Sequence, residues 1–124
     1  MQPRKVLILD DNILHVMRAA RSLEACGYTV VRMSSPNGAL AKVEFERPEV
    51  LLLELKMSRL HVDDLLAKLR QNPEMEDLII VLFSDLEADV LQQYCIDNDI
   101  HGYYCKSMDI DAVGDFLDNF YEEE

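Results

Sequence analysis

Five short apolar runs alternate with five amphipathic segments along the chain, and no other feature restricts the possible folds as strongly. The runs are KVLILD at 5–10, YTVVRM at 28–33, EVLLLE at 49–54, LIIVLF at 78–83 and HGYYC at 101–105. They have strand length and are rich in aliphatic and aromatic residues. The third lacks polar alternation, which points to burial on both faces, as in a parallel sheet. The segments between them place apolar residues at helical spacing. These are Ile13, Met17, Ala20 and Leu23 in 13–25; Leu65, Leu66 and Leu69 in 62–71; Val90, Leu91 and Tyr94 in 86–98; and Ile110, Val113, Phe116, Leu117 and Phe120 in 109–121. Gly27 stands where a helix ends in the left-handed conformation. Ser35 is placed to cap the second helix, Pro36 suits its first position and Pro48 stops it. The final EEE reads as a solvated, frayed tail. Strict βα alternation predicts an α/β fold, a five-stranded parallel sheet with helices on both faces.

The rest of the sequence narrows the function. A length of 124 residues predicts one domain, 1–124. No apolar run approaches the roughly 20 residues of a membrane span. The first run stops at Asp10-Asp11, too soon for the apolar region of a signal peptide, so a cytoplasmic location is expected. The net charge is -12, and the Lys and Arg residues are scattered. Nucleic acid and anionic membrane are therefore disfavoured as partners, whereas a cation or a basic patch on another protein is compatible. Cys26, Cys95 and Cys105 lack CxxC spacing, and His15, His61 and His101 lack ligand spacing. All six are assigned to structural or surface roles. No GxGxxG, GxxxxGK[ST] or GxSxG motif is present.

In a parallel α/β sheet, ligands bind beyond the carboxyl ends of the strands. Asp10 and Asp11 stand at the end of the first run and Glu54 at the end of the third. Ser84 ends the fourth and Lys106 follows the fifth. Three carboxylates brought together repel unless a cation joins them, and oxygen ligands of this kind suit Mg²⁺. Acids, a hard cation, an ammonium and a hydroxyl form a set able to handle a phosphoryl group. Ser84 is also placed to cap the following helix.

These motifs resemble the receiver domains of bacterial two-component response regulators, over essentially the whole chain. LILDDN is similar to the acidic pair that ends the family's first strand. RPEVLLLELKMSRLHVDDLLAKLR resembles the stretch carrying the phosphate-accepting Asp, IIVLFS the strand ending in Ser or Thr, and YYCK the aromatic and Lys of the last strand. The resemblance implies a flavodoxin-like sheet of order 2-1-3-4-5. It implies that Asp10, Asp11, Glu54 and the Lys56 carbonyl would hold Mg²⁺. Ser84 would contact a phosphoryl group, Tyr103 would be the aromatic that turns inward, and Lys106 would contact the acid or the phosphoryl. It implies a phosphorelay switch fed by a histidine kinase or phosphotransfer protein, and a possible homodimer through the face of the fourth and fifth helices.

The departures from the pattern matter as much. Glu54 occupies the acceptor position and is one methylene longer than Asp, while in-line transfer tolerates little misplacement. Asp85 stands where the family has a small residue and adds negative charge beside the phosphoryl site. Ser107 replaces a Pro whose preceding bond is commonly cis. A cis bond before a non-Pro residue costs about 2.5–4 kcal/mol, so a trans bond and a shifted loop are expected. Ser58 and Val62 replace turn formers after the third strand. The Lys56 side chain lies on the same side as Glu54, from where it reaches into the acid pocket or points to solvent. Tyr103 is an ordinary edge aromatic or a switch. The expected activity is a non-enzymatic, protein-binding signalling domain without an output domain, not phosphorylated at Glu54. Its rivals are a phosphomimetic locked on, a phosphoryl-transfer enzyme using another acceptor, and an inert docking unit.

Overall fold

A computed structural model describes residues 4–57 and 59–122. The strands are β1 (Lys5–Leu9), β2 (Thr29–Met33), β3 (Val50–Leu53), β4 (Ile79–Ser84) and β5 (Gly102–Cys105). The helices are α1 (Ile13–Ala25), α2 (Ala39–Glu46), α3 (Val62–Gln71), α4 (Ala88–Asn98) and α5 (Val113–Glu122), with 3₁₀ turns at Pro73–Met75 and Ile110–Ala112. All strand pairs are parallel, in the order β2-β1-β3-β4-β5. Among the described residues, no helix is long and apolar enough to cross a membrane.

Strand alternation divides the core into two layers. Leu7, Leu9, Leu51, Leu53, Ile80 and Leu82 pack with Val43 of α2, Leu66 and Leu69 of α3, and Leu91 of α4. The intervening Val6, Ile8, Val50, Leu52, Val81 and Phe83 pack with Ala20 and Leu23 of α1 and with Val113 and Leu117 of α5. The three central strands are thus apolar on both faces, which explains their unbroken hydrophobic runs. Each such Leu, fully withdrawn from water, contributes about 1.5–3 kcal/mol.

Several local expectations shift. The inward face of α1 is Val16, Ala19, Ala20 and Leu23. Ile13 is exposed and Met17 half-buried, because the helix enters at the rim above the core. Ser35 and Pro36 lie in a turn before α2. The Ser35 hydroxyl accepts from the Asn37 N–H, and the helix begins at Ala39 behind a left-handed Gly38. Arg47 is left-handed as well and ends α2 one residue before Pro48. Val90 of α4 is exposed; Leu91 and Cys95 carry the packing instead. Gly27 does adopt positive φ, at 94°. Ser58 and the last two Glu residues of the tail lie outside the described residues.

Candidate functional site

β1 and β3 are neighbours, with Leu9 opposite Leu53. The residues that follow them, Asp10 and Glu54, are therefore delivered side by side. Backbone bonds extend the ladder to this level: Asp10 N–H donates to Met33, Glu54 N–H to Leu9 and Lys106 N–H to Ser84. The side chains of Asp10, Glu54 and Lys106 are 1%, 6% and 4% exposed.

One ammonium joins both acids. Lys106 Nζ lies 2.5 Å from Asp10 Oδ2 and 2.7 Å from Glu54 Oε1. It also sits 5.0 Å from the centroid of the Phe83 ring, within the range of a cation–π contact. Glu54 Oε2 accepts from the Lys56 N–H at 3.2 Å, so both oxygens of this carboxylate carry donors. Asp10 Oδ1 accepts from the Asn12 N–H at 3.0 Å. Its Oδ2 meets the ammonium as an ionic contact without hydrogen-bond geometry. Two buried carboxylates and one buried ammonium leave a formal charge of −1 away from water. Removing ions from water is costly, and close pairing is what offsets that cost.

The outer rim carries a second ion pair. Lys56 Nζ and Asp85 Oδ1 are 3.2 Å apart, with both side chains about half exposed. The Lys56 bond and charge hold the Asp85 carboxyl below its ordinary value. Lys106 thus supplies the buried ammonium, and Lys56 reaches sideways to Asp85. The negative charge expected of Asp85 at the pocket mouth is accordingly paired. Asp11 is exposed. Asp10, Asp11, Glu54, Lys56, Asp85 and Lys106 line one open cavity of about 170 Å³.

Asn12 and His15, which sequence reasoning left out of the site, complete that lining. Asn12 caps α1 by accepting from the His15 backbone N–H at 3.1 Å, which starts the helix at the edge of the cavity. The signal available in the sequence was the cap, an Asn directly before a helix that starts at the acidic rim.

The remaining candidates behave differently. Ser84 is fully buried, and its hydroxyl accepts a long bond of 3.4 Å from the Leu86 N–H. It does not cap α4, whose N-cap is Glu87. Nor is it hydrogen-bonded to Glu54. Tyr103 is half-buried on the edge strand and packs against the core layer under α2, α3 and α4. Ser107 is exposed, and no cis peptide bond occurs among the described residues, so the Lys106–Ser107 bond is trans. Arg59, in the loop after β3, is left-handed with φ of 63°.

The donor set suits a hard cation. Asp10, Asp11 and Glu54 offer carboxylate oxygens, the type Mg²⁺ prefers. The buried Asp10 Oδ2 accepts no hydrogen bond and meets Lys106 as an ionic contact, which leaves it able to bind a further cation. Mg²⁺ bound here would be held by Asp10, Asp11 and Glu54 with the Lys56 carbonyl, and would neutralise negative charge at the rim.

Comparison with known proteins gives a consistent picture. The model of the response regulator receiver domain matches residues 6–117. The alkaline phosphatase synthesis transcriptional regulatory protein PhoP of Bacillus subtilis is 30% identical over 86 residues, covering 69% of this chain and 36% of PhoP. The transcriptional regulatory protein KdpE of Staphylococcus aureus is 28% identical over 111 residues, covering 88% of this chain and 46% of KdpE. The chain therefore spans less than half the length of either. Among solved structures, the chemotaxis response regulator CheY4 of Vibrio cholerae superposes with a TM-score of 0.82 at 19% identity, covering 95% of this chain and 98% of CheY4. A response regulator from Chloroflexus aurantiacus gives 0.82 at 20% identity, covering 95% and 97%.

Proposed function

The chain belongs to the response regulator receiver domain family, and from that premise we propose that it is a receiver whose rim is not phosphorylated at Glu54 and which signals by binding other proteins. The observation that carries this reading is a buried Glu54, one methylene longer than Asp, at the acceptor position. An acceptor carboxylate needs an oxygen free to attack phosphorus in line, and misplacement by about an ångström costs on the order of 10²-fold in rate. Glu54 is one methylene longer than Asp, and each of its oxygens accepts one hydrogen bond that attack would have to accommodate. In this reading Lys106 supplies internally much of the positive charge that a rim of this kind takes from a metal. Mg²⁺, where it binds, adds to a site already partly neutralised and is held weakly.

The partners proposed are proteins of a two-component pathway, a histidine kinase, a phosphotransfer protein or a downstream target. A second copy docking through α4, β5 and α5 is the corresponding homodimer. Nucleic acid is not proposed as a partner of this segment, because its charge of -12 repels phosphates. The phosphomimetic alternative draws no support from Ser84, whose hydroxyl turns to Leu86 and not to Glu54.

The test is an intact-mass measurement with acetyl phosphate and Mg²⁺ on the wild type and Glu54→Asp in parallel. The expected result is a phosphoryl adduct on Glu54→Asp alone. An adduct on the wild type overturns the proposal. No adduct on either moves the block beyond Glu54, to Asp85 and the Ser107 loop.

A further inference from the structure

The molecule has a second surface that the rim does not explain. A groove of about 590 Å³ opens between the β3–α3 segment and α4. Leu55, Leu60 and Val62 give it an apolar wall, packed behind onto the core. Tyr94 of α4 faces them, and its hydroxyl donates to Asp63 Oδ1 at 2.8 Å. Burial and this bond push the Tyr94 phenol well above its ordinary value, so the bridge persists across the physiological pH range. Tyr94 also lines a second depression along α4, together with the exposed Val90.

The borders of this double groove are of one sign. Asp63 and Asp64 stand on the α3 side, Asp89 and Asp97 on the α4 side. Among the described residues, no Lys or Arg lines either half. Lys68 is drawn to Asp64 along α3, at 3.2 Å. Arg70 is turned to the carbonyls of Asn98 and Asp99 at the far end of α4. A partly apolar groove edged by carboxylates, of which Asp64 is paired with Lys68, is complementary to an amphipathic segment with apolar side chains on one stripe and Lys or Arg beside it.

We infer that the α3–α4 groove is the docking surface for a basic amphipathic helix of a partner protein. An apolar side chain of that helix sits over Leu60 and Tyr94, and a second covers Val90. Its cationic flanks meet Asp63 and Asp64 on one side and Asp89 and Asp97 on the other. The inference deepens the proposed function and takes from it only that the domain works by binding protein.

The groove is joined to the rim at both walls. Leu55 directly follows Glu54. Asp85, which pairs with Lys56, leads through Leu86 into α4.

The probes are three synthetic peptides of helix-forming design. One carries Leu at positions i, i+3, i+4 and i+7 with Arg elsewhere, the second replaces Arg by Glu, and the third replaces Leu by Ala. Each is titrated into the isotope-labelled 124-residue chain at physiological salt, and amide shifts are followed by NMR. The Leu/Arg peptide is expected to shift residues 60–64 and 89–97, and the other two are not. Val90→Arg and Asp97→Lys are expected to weaken it by about ten-fold or more, the effect of losing one well-packed or paired contact. Both positions are exposed, so the fold is retained, which an unchanged amide spectrum outside the groove verifies. Glu24→Lys on α1 changes the net charge by the same amount as Asp97→Lys and is expected to leave binding unchanged. Equal weakening by Glu24→Lys means attraction to net charge alone and overturns the inference. So does an absence of shifts with the Leu/Arg peptide, or shifts confined to the rim or to β5 and α5. None of these outcomes alters the phosphorylation test, so the two readings fail separately.

Discussion

At the scale of single residues, the acid rim reduces to the question of which ammonium neutralises it. Lys106→Met leaves Asp10 and Glu54 buried with no cation between them. Breaking a buried ion pair from one side typically costs about 3–5 kcal/mol. That loss is expected as a lower urea midpoint at an unchanged slope, and Lys106→Met with Glu54→Gln is expected to recover part of it. At the mouth, the Asp85 carboxyl lies below its unfolded value of 3.8 because Lys56 binds it. The pair therefore contributes above that value, and the contribution is lost as pH falls through the folded pKa. Its exposure keeps the contribution small. A carbon-detected NMR titration should place Asp85 below 3.8, and Lys56→Met should move it upward. No movement would mean that Lys56 and Asp85 do not pair in solution. The acids themselves were legible in the sequence, because strand ends fix where carboxylates converge. The contact of Lys106 with the acid was implied by the family resemblance and is observed, whereas the direction of Lys56 was left open. Strand alternation fixes the side on which Lys56 lies but not the course of its long side chain.

At the scale of elements, the seam between α1 and α5 shows how tightly the helices close on one face of the sheet. The Ser22 hydroxyl donates to the Asp111 carbonyl at 2.7 Å and accepts from the Gly114 N–H at 2.9 Å. A Cβ on Gly114 would lie 2.6 Å from the Ser22 carbonyl oxygen and 2.8 Å from Cys26 Sγ. Gly114→Ala must push the helices apart, at a cost of about 1–3 kcal/mol for overpacking. Thermal denaturation should show the loss, with the secondary-structure signal of the folded state retained. All five strands and five helices could be read from the chain, since period and length separate them well. Faces and starts could not be read as surely. Ile13 looked like a core position of α1 because it is apolar and in phase, yet it lies at the helix entry, beyond the reach of the core. Pro36 matched a helix start, and the turn held by Ser35 with left-handed Gly38 delayed it to Ala39. Such outcomes depend on where a helix meets its layer, which local spacing does not encode.

At the scale of the whole molecule, charge is the dominant property. Asp and Glu number 24 against 12 Lys and Arg, so the folded state carries a self-repulsion that unfolding relieves. Stability at pH 7 should therefore rise between about 10 mM and 150 mM salt, where the screening length falls from roughly 30 Å to 8 Å. A midpoint that falls with salt would show that the surface ion pairs outweigh the repulsion. The bridge through Lys106 stands apart from this balance. Its members are buried, so dissolved ions screen it far less than the surface pairs. On the proposed reading, the condition of the rim is then written into the polypeptide, largely indifferent to the ionic surroundings and to any phosphate donor. A receiver of that kind reports a message through how many copies are present and what they are bound to, because it holds no second chemical form in which to store one.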